Sequence, residues 1–420
     1  MVDVKNFLGK DDSERIQNAI NGRTADGIVV ISGRNDEECV NGADWLLDRA
    51  ILLPENTTII IRNCKIKLSD RCRDNFFRSA NCGFGIDFPA ETQNIHIKGE
   101  GNAVLEGADH PRATGDASKI LACPCPYKDE DLIKYAEWVP EDRKKSGVLN
   151  FFDKHIHTYG TDAGIEGESQ CGDWRNIGIL FANVQNFSIE NVKIVCPHAW
   201  GISLEECGKG TISKIEFKAN MSKKIDGILH NIENQDGIDL RNGCHNIVIS
   251  DISGETGDDV IALTAIARNS AVRQGGSLCS THVMTNDWNK RDKNISNVII
   301  RNVMAKSSLC AVIRLLPACA EIENVVIDGV IDLAERNTWC TLLFGEDDDA
   351  YGKNTPDGLK NIMVSNVFCN SGSAVLVCGY LKDSVLTNIV NGNPDCPVIE
   401  TKKENAFTNV SVTNAIENYG

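Results

Sequence analysis

One short pattern of apolar and polar positions recurs along the chain: an Asn is followed by alternating apolar residues and then by a second Asn, Asp or Gly. Every second side chain would therefore point inward from a half-buried strand. The clear copies begin at Asn186, Asn246, Asn297, Asn324, Asn361 and Asn409, and weaker copies begin at Thr58, Asn94, Thr211 and Ser384. Successive starts lie 23–37 residues apart, or two or more repeats apart where copies are degenerate. This period is typical of stacked structural repeats rather than of separate domains.

The residue that closes each copy indicates how the strands are connected. Asn and Asp tolerate left-handed backbone geometry and can turn the chain toward the next strand. Strands that repeat in this way without crossover helices stack into a parallel β-helix. A β-propeller and a leucine-rich repeat compete with this interpretation, but the chain lacks the four antiparallel strands per ~40 residues of the first and the LxxLxLxxN consensus of the second. The sequence predicts an all-β protein, a single-stranded parallel β-helix that forms one domain over residues 1–420.

An open end of such a coil exposes apolar residues and needs a cover. Residues 11–21 (DDSERIQNAIN) predict an amphipathic helix, with Asp12 or Ser13 as its N-cap. Three apolar residues share one face of that helix: Ile16, Ala19 and Ile20. We therefore predict that residues 1–25 form an N-terminal cap.

The repeat disappears between residues 123 and 172, where the chain becomes charged and contains prolines and aromatic residues. Long insertions in repeat proteins usually lie over the working surface. We predict that residues 123–172 are a loop insertion over a cleft. His155 and His157 alternate within it, but no third ligand accompanies them, so neither a metal nor a cofactor is expected.

Composition narrows the possible partners. The net charge of −16 argues against nucleic acid and against anionic membranes, since both favour a basic surface. No stretch approaches the ~20 apolar residues of a transmembrane helix. Met1 is not followed by a secretory signal pattern, and the 17 cysteines are scattered without paired spacing. These observations predict a cytoplasmic protein whose cysteines mostly fill the coil as small apolar residues. The oligomeric state is open, and a homo-oligomer is possible.

Two acidic clusters, Asn234-Gln235-Asp236-Gly237 and Gly257-Asp258-Asp259-Val260, lie about one repeat apart. Stacked repeats would place their three carboxylates side by side on one outer wall. Neighbouring carboxylates move each other's pKa values apart, so that one can donate a proton while another accepts one. Acid-assisted cleavage of a glycosidic bond needs this combination. The alternative is that these acids cap turns or hold a structural cation.

These residues resemble the polygalacturonase-like glycoside hydrolases of family 28. Asn234-x-Asp236, Gly257-Asp258-Asp259 and Arg314 occur in the order and at about the intervals of that family, and the upstream WGISL element at Trp200 supports the match. The resemblance implies a right-handed parallel β-helix and an inverting hydrolase. It implies Asp258 as the general acid and Asp236 with Asp259 as the pair that activates water. In an inverting enzyme the acid and base lie roughly 6.5–9.5 Å apart.

Two departures from the family pattern bear on the substrate. Only His282, in SLCSTHVMTN, stands where the family has Gly-His-Gly; it is either an orienting partner of a catalytic acid or an ordinary surface residue. The family's Arg-Ile-Lys is replaced by Arg314-Leu315-Leu316, which keeps the guanidinium and loses the ammonium group. In the family that basic pair binds a uronate carboxylate, so the loss of the ammonium group makes a neutral or differently substituted sugar possible as the substrate.

The remaining candidates concern substrate contacts. Trp200 and Trp339 either present an aromatic face to a sugar ring or simply pack. Asn234 and Arg314 complete the predicted binding set. The acidic run at residues 346–349 is either a solvated loop or part of the cleft wall.

The sequence thus predicts an inverting glycoside hydrolase acting on an oligosaccharide. A bulky insertion that closes one end of the cleft would favour exo-type trimming. Two other classes remain as alternatives: a β-helix lyase, epimerase or fructosyl-transferring enzyme, and a non-catalytic carbohydrate-binding or structural β-helix.

Overall fold

The computed structural model describes residues 1–72, 74–83, 86, 89–111, 114, 170–171, 174–225, 227–232, 234–266, 278–279, 292–335, 339–346 and 351–417. Helix α1 spans Asp12–Asn21, and short 3-10 helices span Val4–Asn6, Asp36–Glu38 and Trp174–Asn176. The strands are β1 (Val2–Asp3), β2 (Ile28–Ser32), β3 (Trp45–Leu47), β4 (Ile51–Leu53), β5 (Thr57–Leu68), β6 (Phe77–Ser79), β7 (Thr92–Glu106), β8 (Gln170–Cys171), β9 (Ile179–Ala182), β10 (Val184–Val195), β11 (Ile202–Glu205), β12 (Gly208–Lys218), β13 (Ser222–Ile225), β14 (Ile228–Asn231), β15 (Ile238–Leu240), β16 (His245–Thr256), β17 (Ile261–Ile266), β18 (Leu278–Cys279), β19 (Ile295–Ser307), β20 (Ile313–Ala318), β21 (Ile322–Asp332), β22 (Cys340–Phe344), β23 (Leu359–Cys369), β24 (Ser373–Val377), β25 (Leu381–Asn391), β26 (Ile399–Thr401) and β27 (Phe407–Glu417).

Two parallel sheets run the length of the coil. The long sheet has the order β1-β2-β5-β7-β10-β12-β16-β19-β21-β23-β25-β27, with β3 also paired to β5. The second sheet has the order β4-β6-β9-β11-β15-β17-β20-β22-β24-β26. Each rung contributes a strand to the long sheet and then one to the second sheet, so the predicted parallel β-helix is confirmed.

The asparagines of the repeat lie where the strands bend. Asn297 and Asn302 of β19 have φ values of 57° and 55°, and equivalent residues recur from rung to rung. This left-handed conformation costs most L-residues about 1–2 kcal/mol, whereas Asn adopts it readily. The amides also stack along the coil: Asn297 Nδ2 donates to Asn246 Oδ1 at 2.9 Å, and Asn324 Nδ2 donates to Asn297 Oδ1 at 3.0 Å. One residue type therefore supplies both the bend and a bond between rungs.

The core is made of apolar ladders inside the coil. Ile247, Val298, Val325 and Ile362 align on successive long strands, and each is fully buried. Ile238, Ile261, Ile313 and Leu342 form the facing ladder on the second sheet, also fully buried. Of the 13 cysteines whose side chains the structure describes, nine are buried, as the interpretation of cysteine as an apolar filler predicts.

The N-terminal helix covers the first rung, as predicted, and buries Ile16, Ala19 and Ile20. The prediction that its N-cap is Asp12 or Ser13 is wrong, because the N-cap is Asp11, whose Oδ1 accepts from Glu14 N at 2.7 Å. Asp12 and Ser13 instead accept backbone N–H groups of Leu46 and Asp48 on the coil, each at 2.9 Å. Their side chains dock the cap onto the coil rather than starting the helix.

Most of the predicted insertion at residues 123–172 lies outside the described residues, as do His155, His157 and His282. In the part of the chain that is described, no helix has the length and apolar character needed to span a membrane.

Candidate active site

The acidic clusters meet at the turn that leads from the long sheet into the second sheet. Gly201 N donates to Asp236 O at 2.9 Å, Gly237 N to Asp259 O at 2.8 Å, and Val260 N to Ala311 O at 3.1 Å. Because parallel strands pair in this stepwise way, Trp200, Asp236, Asp259 and Ala311 hold equivalent positions on successive rungs. Asp258 precedes Asp259 by one residue, and its N–H points to Gln235 O at 3.4 Å. The structure thus brings the three predicted acids together on two adjacent rungs.

Gln235 holds the first acidic turn in place. Its side chain is almost fully buried; its Oε1 accepts from Met221 N at 3.0 Å, and its Nε2 donates to Pro197 O at 2.7 Å. Asn234, a predicted substrate contact, is half-buried and has φ of 55°. This conformation alone explains an Asn at position 234, so its role in binding stays a prediction.

Asp258 and Asp259 differ in their surroundings although they are consecutive. Asp259 is 2% exposed, and its Oδ1 accepts from Ala311 N at 3.1 Å. Its Oδ2 lies 3.5 Å from Arg314 Nη1. Asp258 is more exposed, and its Oδ1 accepts from Asp259 N at 3.0 Å. One carboxylate is therefore anchored in the wall, while the other lies at the surface of the same turn.

Arg314 bridges two carboxylates on the outer wall. Besides Asp259, its guanidinium forms an ion pair with Glu346. Burial alone would lower the pKa of Arg314, but the negative charges around it, those of Asp259 and Glu346 among them, outweigh burial and raise the pKa. Arg314 therefore remains a cation that is already matched by two anions.

Glu346 is the residue that sequence reasoning missed as the partner of Arg314. Asn354 positions it, because Asn354 Nδ2 donates to Glu346 O at 2.5 Å and Glu346 N donates to Asn354 Oδ1 at 3.2 Å. The acidic run at 346–349 contained the signal, since it follows β22, the strand next to that of Arg314. Residues 347–349 lie outside the described part of the chain.

The two candidate tryptophans have different environments. Trp200 is 7% exposed, and the guanidinium carbon of Arg241 lies 4.8 Å from its ring centroid. Trp200 therefore packs beneath Arg241, which favours the packing alternative. Trp339 is 46% exposed and precedes Thr341, whose carbonyl accepts from Val312 N at 3.0 Å. It offers an open aromatic face on the rung that follows Ala311, and its role in sugar binding stays a prediction.

Cys310 adjoins the acidic pair, which the sequence did not indicate. Potential ligand atoms of Asp258, Asp259 and Cys310 all lie within 4.8 Å of one another. Among the described residues, these are the His, Cys, Asp or Glu side chains that lie close enough together to hold a metal ion. Burial raises the pKa of the Cys310 thiol, and the charge of Asp259 raises it further. Metal ions bind the thiolate rather than the thiol, so this donor set fits a metal poorly.

A family model matches the part of the chain that contains this site. Residues 166–312 match the family model of the glycosyl hydrolases family 28, a range that contains Asp236, Asp258 and Asp259. A search of curated protein sequences gives no significant match. The resemblance to family 28 that the motifs predict is thereby confirmed.

Solved structures share the fold at low sequence identity. The polygalacturonase of Erwinia carotovora ssp. carotovora is 14% identical, with a TM-score of 0.56 over 100% of this chain and 95% of that chain. The exopolygalacturonase of Thermotoga maritima is 13% identical, with a TM-score of 0.51 over 100% and 94%. The surface protein and adhesin PfbA of Streptococcus pneumoniae is 12% identical, with a TM-score of 0.51 over 98% and 88%. At these identities the likeness establishes the β-helix and nothing beyond it.

Proposed function

We propose that the protein is a glycoside hydrolase that cleaves an oligosaccharide with inversion at the anomeric carbon. The observation that carries the proposal is the meeting of Asp236, Asp258 and Asp259 at one turn of adjacent rungs. The match of this region to the family 28 model supports the assignment.

Each acid has a distinct part in the proposed reaction. Protonated Asp258, the most exposed of the three, donates its proton to the glycosidic oxygen as the bond from that oxygen to the anomeric carbon breaks. Water attacks the anomeric carbon from the opposite face and passes its proton to the carboxylates of Asp236 and Asp259. The Ala311 N–H and the Arg314 guanidinium hold Asp259 in one orientation, which keeps the water aligned.

The charges around Arg314 bear on the substrate. Polygalacturonases are among the structural neighbours, so a pectic oligosaccharide is the natural substrate class to propose. Arg314 is paired with Asp259 and Glu346, and the next outward position of the same strand is the buried, uncharged Leu316. We therefore propose that the sugar bound beside Arg314 is neutral.

Exo action and a cytoplasmic location complete the proposal. Both rest on sequence reasoning: the insertion at 123–172 would close one end of the cleft, and a cytoplasmic enzyme would meet short imported chains. The main products from a long oligosaccharide would then be released from one chain end.

The decisive experiment compares wild type with Asp258→Asn on a panel of pectic and neutral oligosaccharides. Removing a general acid is expected to lower kcat by about 10²–10⁴-fold. Asp383→Asn is the matched control, because Asp383 is exposed on the long sheet with φ of 49°, at a ladder position where other rungs carry Asn. The anomer first released is read by NMR.

The outcomes separate the candidate functions. Inverted product from wild type with a large loss in Asp258→Asn supports the proposal. A retained anomer would refute inversion, and an unsaturated product detected by ultraviolet absorbance would identify a lyase. Equal activity in Asp258→Asn and wild type would remove Asp258 from the mechanism.

A further inference from the structure

The turn between β19 and β20 places Cys310 beside the acidic residues of the candidate site. Ser307, the last residue of β19, fixes this turn: its Oγ accepts from Cys310 N at 2.8 Å and from Leu309 N at 3.3 Å. The next residue, Ala311, donates its N–H to Asp259 Oδ1 at 3.1 Å. Ser307 and Cys310 are both buried. The backbone on both sides of Cys310 is therefore held in place, which leaves its side chain little freedom.

The thiol of Cys310 lies close to both consecutive acids. Its Sγ and one carboxylate oxygen each from Asp258 and Asp259 all lie within 4.8 Å of one another. Its hydrogen bond is with Asp259, whose charge also acts on the thiol more strongly than that of Asp258. Because an ionised carboxylate only accepts hydrogen bonds, the S–H group is the donor. Asp259 thereby has a third donor besides Ala311 N and the Arg314 guanidinium.

Cys310 keeps its proton at neutral pH. Burial raises the pKa of the thiol above its ordinary value of 9.0, and the negative charge of Asp259 raises it further. Carboxylates titrate several pH units lower, so the thiol is uncharged throughout the range in which they change state. The side chain therefore acts as a neutral hydrogen-bond donor.

A neutral donor fits the different protonation states that the two acids need. In the proposed reaction Asp258 carries a proton and Asp259 does not. A cation at position 310 would favour the ionised form of both acids, and an anion would favour the protonated form of both. A thiol that donates to Asp259 favours the ionised form of that residue and adds no charge beside Asp258.

We propose that Cys310 is a positioning residue of the candidate active site, whose S–H group holds the ionised carboxylate of Asp259 in the orientation that activates water. This inference rests on the proposed function. The alternative is that Cys310 is an apolar filler like the other buried cysteines. A filler could be replaced by Ala at a cost in stability but without a change in kcat, so the two views predict different kinetics.

Cys378 provides the matched comparison for Cys310. It is buried and belongs to the same apolar cluster as Cys310, which also contains Leu343 and Leu376. Cys378 follows β24, however, and β24 lies two strands beyond β20 in the second sheet. Replacing either cysteine with Ala removes the same atoms from the same cluster, but only the change at position 310 removes a donor to Asp259.

The test measures kcat and KM of Cys310→Ala, Cys310→Ser and Cys378→Ala on an oligosaccharide that wild type cleaves. Loss of a hydrogen bond to a charged group in Cys310→Ala is expected to lower kcat by about tenfold. KM should stay unchanged, because Asp259 acts on the attacking water in the transition state. Cys310→Ser keeps a donor, its hydroxyl, and should retain most of the wild-type kcat. Cys378→Ala should retain the wild-type kcat, and urea unfolding verifies that each variant is folded.

The S–H stretching band in the infrared gives a second readout that does not depend on turnover. The band of Cys310 is the one that disappears in Cys310→Ala. Asp259→Asn should shift this band, because a neutral amide oxygen is a weaker acceptor than a carboxylate. Asp258→Asn should shift it less.

The outcomes separate this inference from the proposed function. A lower kcat in Cys310→Ala that Cys310→Ser restores would support the proposal. An unchanged kcat in Cys310→Ala, or equally low kcat in the Ala and Ser variants, would overturn it and leave the proposed hydrolase intact. An S–H band that Asp259→Asn leaves in place would also overturn it. If wild type cleaves no oligosaccharide, the proposed function fails and the role of Cys310 fails with it.

Discussion

His198 allows a quantitative test of how the wall beside the candidate site is held together. Its ring is buried, and its Nε2 accepts from Ala108 N at 2.9 Å. Lys223 donates from Nζ to Ala108 O. The side chains of His198 and Lys223 therefore bind the backbone N–H and the backbone carbonyl of the same residue, Ala108. The Nδ1 atom of His198 has no hydrogen-bond partner among the residues that the structure describes. Protonating the ring would therefore break one bond and bury a charge next to Lys223.

The expected magnitude follows from the pKa of His198. Burial and, to a smaller extent, the charge of Lys223 lower this pKa from 6.5 to about 3. Between those values the unfolded chain binds a proton that the folded chain does not, so the free energy of unfolding falls as the pH falls. The slope for one proton is about 1.4 kcal/mol per pH unit. Between pH 7 and pH 5 His198 should therefore cost about 2 kcal/mol of stability.

The assay is urea unfolding at both pH values for wild type and for His198→Gln. The Gln side chain keeps an acceptor for Ala108 N and does not titrate. The variant is expected to lose about 2 kcal/mol less than wild type between pH 7 and pH 5, whatever its stability at pH 7. Equal losses in the two proteins, within about 0.5 kcal/mol, would show that His198 is not a buried neutral ring, and the reasoning would fail.

Three further predictions concern the buried ion pairs and the asparagine ladder. Arg314→Gln should lower the free energy of unfolding by about 3–5 kcal/mol, because it leaves Asp259 buried without its cation, whereas Arg314→Lys should cost clearly less; urea midpoints decide between these outcomes. Glu346→Gln removes one of the two anions paired with Arg314. It should raise the ratio of kcat/KM for uronate-containing oligosaccharides to kcat/KM for neutral ones by at least about tenfold, and an unchanged ratio would show that Arg314 does not contact the substrate. Asn361→Ala should lower the free energy of unfolding by about 2 kcal/mol, because it loses the hydrogen bond to Asn324 and strains the backbone at φ of 56°. Asn361→Gly should cost about 1 kcal/mol less, because only the hydrogen bond is lost. Equal losses in the two variants would contradict the role of the bend.

The sequence by itself determined the coil. Each strand is recognisable from a pattern of seven residues, and an Asn such as Asn297 marks its own bend because left-handed geometry is a property of single residues. The adjacency of Asp236 and Asp259 was also predictable, because 23 residues separate them and one rung of the coil has about that length.

Only the tertiary structure decided what surrounds those acids. Arg314 in β20 and Glu346 just after β22 are 32 residues apart and lie outside the seven-residue repeat, so no local pattern pairs them. The burial of Trp200 under Arg241, the approach of Cys310 to Asp259 and the choice of Asp11 as N-cap depend likewise on contacts between segments. Local patterns determine backbone conformation, whereas side chains on the outer wall meet partners from rungs of unequal length. The contacts of these side chains form only when the strands that carry them are paired in register.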